Sequence, residues 1–500
     1  MPGIQISTAV RTGPTNNTVR ETSQAFFVGQ ALRGPVDEAL LVTSLEDFEM
    51  KYGGYTSGSF LHSTVESFFE EGGTRCYVVR VANTTGTATA NSLLLDSADD
   101  ATITLTANGP GVWGNNLSVK VQDGAIGASG DSVIVTLYDN DKIVMSTGTC
   151  TTPAQICGKI NTHPVASLMM VATDEELGTL PVAFTVRDFG SEAGETEGDD
   201  GTTAPGANEY SDALDLFLDS FGAGVVACPE IPTTGDDTFT TALIAHCNNK
   251  SRIGFVHAAK TDTSVGDLGD IAEAIQSLEN TEHIAMFAPW VSAPTGTTGV
   301  NRWIPPIGYA AGARARAHNQ IGPHQPGAGI VSNAKFINGV YQAYDKTSGD
   351  ALDEASINAI RVINNVVRIY GARSLSIDTQ NFRYINAQDV VNHVVVEANR
   401  TLEDVLFTVI DGRNSVFASV EAKLVAVMEP LRTLGALYEA FDVNGRRIDY
   451  GYTVKCDSTL NPLAQLIDGT VTARVGLRVS SIGDSIQVDI IKSNLTTSVV

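Results

Sequence analysis

The chain has 500 residues, 43 % of them hydrophobic and 18 % charged, with 57 acids against 32 bases and a formal charge of −25. This is apolar material enough for real cores and length enough for roughly three domains. The acid excess excludes a direct grip on DNA, RNA or anionic lipid, since phosphate binding needs a basic surface, and no apolar run is long enough to span a bilayer.

The N-terminus, Met1-Pro2-Gly3-Ile4-Gln5, has neither a basic leader nor an apolar core, so no signal peptide is expected. Gly3-Ile4-Gln5-Ile6-Ser7 alternates apolar and polar residues as a half-buried strand does, and Ser485-Ile486-Gln487-Val488-Asp489-Ile490 repeats the pattern at the far end. A lone strand leaves its backbone unsatisfied. One use for such an arm is to complete a sheet in a neighbouring copy; the other readings are pairing within its own subunit or a frayed tail.

Between the arms, residues 25–29 and 39–42 read as strands. Ser44 caps a helix with Glu46 and Asp47 in its first turn, closed by Gly53-Gly54. A helix over 60–71, striped by Leu61, Val65, Phe68 and Phe69, stops at Gly72-Gly73, and 76–81 is a strand rich in β-formers. From about 83 to 209 Ser, Thr, Gly and Asp dominate. Short strands are expected there at 101–106, 117–121, 132–137, 143–146, 166–171 and 182–186, with a turn at Asp139-Asn140-Asp141. Thr152-Pro153-Ala154-Gln155 has the form of a capping box opening a helix, and 191–206 reads as a flexible link or loop tip. The only bases are Lys120, Lys142, Lys159 and Arg187, so the segment is expected to be an acidic, mostly β insertion facing solvent.

From Tyr210 a helix is expected through Leu214, Leu216, Phe217 and Phe221, then strands at 225–228, 253–257 and 284–288 alternating with helices at 239–247 and 268–278. Such alternation predicts a mostly parallel sheet with helices on both faces. Pro305-Pro306 opens a further helix carrying Arg314 and Arg316. The last third, from about 351, offers a strand at 366–370, helices at 389–401 and 416–437 with Pro430 as a kink, and strands at 452–456 and 471–479.

Chemistry is sparse. Gly222-Ala223-Gly224-Val225-Val226-Ala227 matches a dinucleotide fingerprint as text but leads into a strand instead of opening a helix. The sequence has no phosphate loop, no paired-histidine zinc helix and no Gly-x-Ser-x-Gly elbow. His246, ending a helix where a cation suits the dipole, and His257, ending a strand, read as structural; His318 and His324 read as interface or loop polar groups beside Gly322-Pro323. Asp99-Asp100 and Asp199-Asp200 read as solvated charge. Cys76, Cys150, Cys157, Cys228, Cys247 and Cys456 are expected to be buried free thiols, and Cys150 and Cys157 lack metal-site spacing. No catalytic residue, metal or cofactor is expected.

Several runs, taken in order, carry a family likeness. They are Gly3-Ile4-Gln5-Ile6, Leu41-Val42-Thr43-Ser44-Leu45-Glu46-Asp47-Phe48 with Tyr52-Gly53-Gly54, and Phe68-Phe69-Glu70-Glu71-Gly72-Gly73-Thr74-Arg75-Cys76-Tyr77-Val78-Val79-Arg80-Val81. Pro305-Pro306-Ile307-Gly308 with Ala311-Gly312-Ala313-Arg314-Ala315-Arg316 follows, then 358–363, Arg368-Ile369-Tyr370-Gly371-Ala372-Arg373-Ser374-Leu375, Arg383-Tyr384-Ile385-Asn386, and Tyr452-Thr453-Val454-Lys455-Cys456-Asp457 with Asn461-Pro462. In this order and spacing the chain resembles the contractile tail sheath proteins of bacteriophages and related injection machines.

The resemblance implies an α/β and α+β multidomain chain. Residues 1–22 would be an N-terminal linking arm, and 23–90 with 207–350 a subtilisin-like α/β domain without a catalytic triad. Residues 91–206 would be the inserted β-rich domain, 351–482 the C-terminal sheath domain and 483–500 the C-terminal linking arm, both arms exchangeable between copies. It implies a structural subunit, not an enzyme, of stacked hexameric rings around an inner tail tube, which contract to drive the tube through a host envelope. The implied partners are further copies, the tube protein, and baseplate and tail terminator proteins, with no nucleic acid or membrane. The implied place is the virion tail, assembled in the host bacterial cytoplasm. Ile4, Ile6, Ile486, Val488 and Ile490 are the expected strand contacts, and Lys423 and Arg432 the candidate tube-facing bases. A headless injection device, a hydrolase on the α/β domain and a non-contractile β shell are the alternatives.

Overall fold

The computed structural model of the chain describes residues 21–127, 130–294 and 300–484. β1 (Ala25–Gly29) is buried along its whole length and is followed by β2 (Leu40–Val42). α1 (Leu45–Tyr52) begins where the Ser44 hydroxyl accepts the Asp47 N–H at 3.1 Å and ends at Gly53, whose φ of 86° is costly for a residue with a Cβ. α2 (Leu61–Glu70) stops at Gly72, φ 113°, and leads into β3 (Cys76–Arg80).

The insertion contains β4 (Thr87–Ala88), β5 (Asn91–Leu95), β6 (Ala101–Ala107), β7 (Leu117–Asp123), β8 (Val133–Asp139) and β9 (Lys142–Ser146). After them come α3 (Pro153–Thr162), α4 (Ala166–Met169), β10 (Met170–Asp174), β11 (Phe184–Asp188) and β12 (Asp199–Asp200). Two antiparallel sheets, β10-β6-β5 and β11-β7-β8-β9, share a core of Leu94, Ile103, Leu105, Val119, Val135 and Leu137, and Ile156 and Ile160 of α3 pack into it.

Three local expectations change here. The stretch expected as a strand at 166–171 begins as α4, because Ala-Ser-Leu-Met is helix-forming, and only then becomes β10. The strand expected at 182–186 sits two residues later, as β11. The 191–206 stretch is pinned to the rest of the insertion. Glu195 Oε1 accepts Ser92 Oγ at 2.9 Å and the Leu93 N–H at 2.8 Å, β12 pairs with β4, and Asp200 Oδ1 accepts the Val112 N–H at 2.9 Å.

The α/β body resumes with α5 (Ala207–Leu214), which ends before Leu216 and Phe217, then β13 (Val225–Ala227), α6 (Thr238–Lys250), β14 (Ile253–His257), α7 (Val265–Gln276) and β15 (Ile284–Ala288). β16 (Val291–Pro294), β17 (Asn301–Ile304), α8 (Ile307–Gln320), β18 (Gly339–Val340), α9 (Lys346–Glu354), β19 (Ile357–Ile363) and β20 (Val366–Tyr370) complete it. The main sheet has the order β2-β3-β1-β13-β14-β15-β19-β20. Its inner pairings are parallel, and the pairings at its two edges, β2 on β3 and β20 on β19, are antiparallel.

Both faces of the sheet are covered, which is why its strands read as continuous apolar runs. Phe27 points into one core with Phe48, Leu61, Phe68 and Ile307, beneath α1, α2 and α8. Its neighbour Phe26 points into the other with Leu243, Leu268, Ile275 and Leu352, beneath α6, α7 and α9. The sheet runs past the expected junction at 350, because β19 pairs in parallel with β15 and carries β20.

The C-terminal body is built on α10 (Ile385–Leu402) and α11 (Ser415–Thr433), the latter with Pro430 inside it. β21 (Ala440–Phe441), β22 (Arg447–Asp449), β23 (Tyr452–Lys455), α12 (Leu463–Ile467) and β24 (Arg474–Leu477) follow. Val390 and Val394 of α10 meet Val427, Met428 and Leu431 of α11 in one small core. Phe417, Val420 and Leu424 form a second with Cys456. All six cysteines are free and buried. Among the described residues no helix is long and apolar enough to cross a membrane.

Candidate functional site

The expected linking contacts Ile4, Ile6, Ile486, Val488 and Ile490 lie outside the described residues, but the residues adjoining each segment do not. At the N-terminal root, Thr22, Ser23 and Gln24 are buried. Arg314 of α8 donates through Nη1 to the Thr22 carbonyl at 2.5 Å. The same guanidinium grips Asp389 of α10, with Nε donating to Oδ2 at 3.1 Å and Nη2 to Oδ1. His318 Nδ1 lies 3.2 Å from the Thr22 hydroxyl and its Nε2 3.5 Å from Asp389 Oδ2. Gln24 Nε2 donates to the Phe221 and Ala223 carbonyls, the latter at 2.9 Å, securing the start of β1. His318, expected as an interface or loop polar group, is fully buried in α8, and burial, followed by the Arg314 charge, holds its pKa well down.

At the C-terminal root the chain leaves β24 and stays paired through Ser480, whose N–H donates to the Ala436 carbonyl at 2.9 Å. Asp484 is then caught. Arg373 Nη2 donates to its Oδ2 at 3.1 Å and the Tyr384 hydroxyl to the same oxygen at 2.5 Å. Arg373 also holds Asp353 of α9 through Nε at 2.8 Å and Nη2 at 2.5 Å, and lies over the Tyr384 ring at 4.9 Å. The Tyr384 hydroxyl, first, and the arginines Arg373 and Arg383 pull the Asp484 carboxyl below its ordinary range.

β23 and β24 pair only with each other among the described strands, Tyr452 opposite Leu477 and Val454 opposite Val475. These four side chains face the α10–α11 cores, while Thr453, Lys455, Arg474 and Gly476 are exposed. A two-stranded ribbon is marginal alone, and sheet edges are where a further strand can add; just past β24 the outer side is already bridged, with Leu437 opposite Val479.

The two candidate tube-facing bases are already paired within the chain. Lys423 Nζ is 2.8 Å from Asp404 Oδ2. Arg432 sits between Glu429 at 2.7 Å and Glu439 at 2.9 Å, and its hydrogen bonds hold the Glu429 carboxyl below the usual range. Each of these two cations is thus offset by an acid of the same chain.

Where parallel α/β sheets bind ligands, at the carboxyl ends of strands beside a reversal of strand order, this molecule is filled with side chains. Next to β13, Glu230 Oε1 accepts Ser59 Oγ at 2.7 Å and the N–H groups of Phe60 and Leu61 at 3.1 Å, so the carboxyl caps α2. Burial pushes its pKa up to about 7. His257 Nδ1 bonds the Ala258 carbonyl at 3.0 Å, burial pulls its pKa down to about 4, and Trp290 packs edge-on at 5.7 Å. His246, read as structural, is buried at a helix end that would suit a cation, but its surroundings disfavour the charge. Burial, then the charge of Arg252, lowers its pKa to about 3, and Arg252 Nη1 donates to its Nε2 at 2.9 Å. Among the described residues no group of three or more His, Cys, Asp or Glu could hold a metal.

Sequence reasoning missed both root clusters. For the N-terminal one the signal was present in Arg314, which with Arg316 lies on an Ala-rich helix buried from Ile307 to His318. Such charges demand distant acids, here Asp389 and Glu71.

No family model matches the chain, and no curated protein does. Solved structures do match in fold. A sheath tail protein of Listeria innocua aligns at 14 % identity over 87 % of this chain and 89 % of its own, with a TM-score of 0.60. The sheath complex of the PVC extracellular contractile injection system, in its contracted state, aligns at 13 % identity over 99 % and 98 %, TM-score 0.54. The helical sheath of the anti-feeding prophage, also contracted, aligns at 12 % over 98 % and 99 %, TM-score 0.54. The mixed α/β multidomain fold of this chain is thus the fold of tail sheath proteins and contractile injection system sheaths.

Proposed function

We propose that the chain is the structural subunit of a contractile tail sheath. It polymerises as stacked hexameric rings around an inner tail tube and contracts to drive that tube through the host envelope. The observation that carries this reading is the likeness to sheath structures over 87–99 % of the chain, insertion and C-terminal body included. The α/β body is read as subtilisin-like in topology, on its mostly parallel sheet with helices on both faces, and as a scaffold without hydrolytic chemistry. The β23–β24 ribbon is the acceptor, and the segments before Thr22 and after Asp484 are the donors. Ten extended residues reach about 33 Å, enough to cross to an adjacent copy and keep it tethered while rigid bodies rotate. Contraction then draws on interface buried in the contracted state, summed over many copies, and needs no nucleotide.

The partners are further copies, the tube protein, and baseplate and terminator proteins, in a virion tail assembled in the bacterial cytoplasm. A headless injection device is the second reading, favoured by the near-complete coverage of the PVC and anti-feeding prophage sheaths. Electron microscopy of the purified protein tests the core claim, since a sheath subunit yields long striated tubes. Replacing Ile4 and Ile6 by Pro removes ladder donors from the N-terminal arm and should abolish them. Ordinary tubes from that variant would refute the arm assignment.

A further inference from the structure

We propose that the two terminal segments are held by fasteners of opposite kind. The N-terminal one is anchored permanently through Thr22, and the C-terminal one is held by a releasable latch of Asp484 on Arg373 and Tyr384. The inference rests on the sheath reading only in giving these segments a linking role; the fasteners themselves stand on geometry.

Both fasteners are mounted on the start of one helix. Tyr384 is the residue before α10 and Asp389 lies in its second turn, about 7.5 Å further along the axis. This end of α10 is fixed to the sheet body. The Ile385 N–H donates to the Ala372 carbonyl at 3.0 Å, Asn386 Nδ2 to the His324 carbonyl at 3.0 Å, and Asn392 Nδ2 to the Arg252 carbonyl at 3.2 Å. The other end of α10 packs on α11 and belongs to the C-terminal body. Thr22 and Asp484, near the two ends of the described chain, are thus held on a common bracket at the junction of its two bodies.

The fasteners differ in what their opening would leave behind. The side chains of Arg314 and Asp389 are 4 % and 2 % exposed. Freeing Thr22 would leave the buried Arg314 Nη1 without its carbonyl acceptor and would draw Thr22, Ser23 and Gln24 out of the interior, and a buried charged donor left unsatisfied is costly. Arg373 is equally buried, at 5 %. It keeps Asp353 on both Nε and Nη2 when Asp484 departs, so its charge stays compensated. Asp484 is 39 % exposed and passes directly to water. The Asp484 bond therefore behaves as a surface ion pair, near balance and screened by salt, while Thr22 stays fixed. In a moving assembly the N-terminal connection keeps its exit direction and the C-terminal connection can be re-aimed.

The test is limited proteolysis of the full chain, kept as dispersed subunits, with a broad-specificity protease. Intact mass reports cleavage between Val479 and Ile482 and, separately, between Thr22 and Ala25, each normalised to the denatured chain. Asp484→Ala should raise cleavage at the C-terminal root about threefold to tenfold and leave the N-terminal root as slow as in the parent. Raising salt from about 0.1 M to about 1 M, which shortens the screening length from about 10 Å to about 3 Å, should do the same to the parent and add little to the variant. Equal rates for parent and variant, or equal opening of both roots in the parent, would overturn the proposal. Tubes are scored independently by microscopy. Tubes with unchanged cleavage sink the latch and spare the sheath reading, and altered cleavage without tubes does the reverse.

Discussion

At the scale of single residues, the charges that matter most are the ones buried without a neighbour in sequence. Arg314 finds Asp389 75 positions away, and Arg252 is satisfied by the carbonyls of Phe217, Leu218 and Gly222 and by the face of Phe26 at 4.0 Å. Local pattern carries information only across a few turns. The Ser44 cap and the buried thiols were therefore legible from the sequence, while the partners of these arginines were not. His246 shows the same limit: a helix end suits a cation, but burial, and then the charge of Arg252 six residues on, disfavours one there.

Glu230 gives a residue-scale prediction with a definite sign. Burial raises its pKa from an ordinary 4.5 to about 7, so the folded state disfavours the charged form. The stability that this group contributes is complete below about pH 4.5 and is lost as pH rises through about 7. Glu230→Gln keeps an acceptor for the Phe60 and Leu61 N–H groups but does not ionise. Its stability relative to the parent should climb by about 2–3 kcal/mol between pH 4.5 and pH 7 and stay level above that. Urea unfolding midpoints across that range give the measurement, and parallel curves for the two proteins would count against a strained carboxylate.

At the scale of elements, what was legible follows from how cleanly a segment shows one period and one pair of boundaries. The strand–helix alternation of the α/β body and the hairpin turn at Asp139-Asn140-Asp141 were readable on those grounds. β19 was not read as a strand from its own pattern, because Asn358 interrupts its apolar run. That side chain is nevertheless buried and consumed, donating to the Met286 and Arg373 carbonyls at 3.1 and 2.9 Å and accepting the Arg373 N–H at 2.6 Å. β5 escaped because Asn-Ser-Leu-Leu-Leu contains no β-branched residue. The hairpin itself is open to improvement. Asn140 and Asp141 both have positive φ, 48° and 63°, the conformation of a two-residue turn that matches the twist of its strands. Asp141→Gly removes the Cβ penalty at the second position and should stabilise the protein by about 0.5–1 kcal/mol, read as a rise in the urea midpoint. A fall would mean that the turn is not held in this form.

For the molecule as a whole, the formal charge of −25 sets the terms on which copies meet. Like-charged subunits repel over the screening length, and the insertion, with only Lys120, Lys142, Lys159 and Arg187 as bases, carries much of the excess acid. Apolar burial and backbone pairing between arms and ribbons are insensitive to salt by comparison, so added salt should favour the polymer. The concentration needed for assembly should fall as sodium chloride rises from about 0.05 M to about 0.5 M, measured by sedimentation of polymer from soluble subunit. Salt also loosens Asp484, and these two effects can be separated. Asp484→Ala changes the formal charge only from −25 to −24, so repulsion is nearly intact while the latch is already open. If repulsion governs assembly, the variant keeps the parent's salt dependence. If release of the C-terminal segment governs it, the variant assembles at low salt and responds little to more. A polymer that dissolves as salt rises would contradict both, and would place ion pairs between subunits at the centre of the assembly.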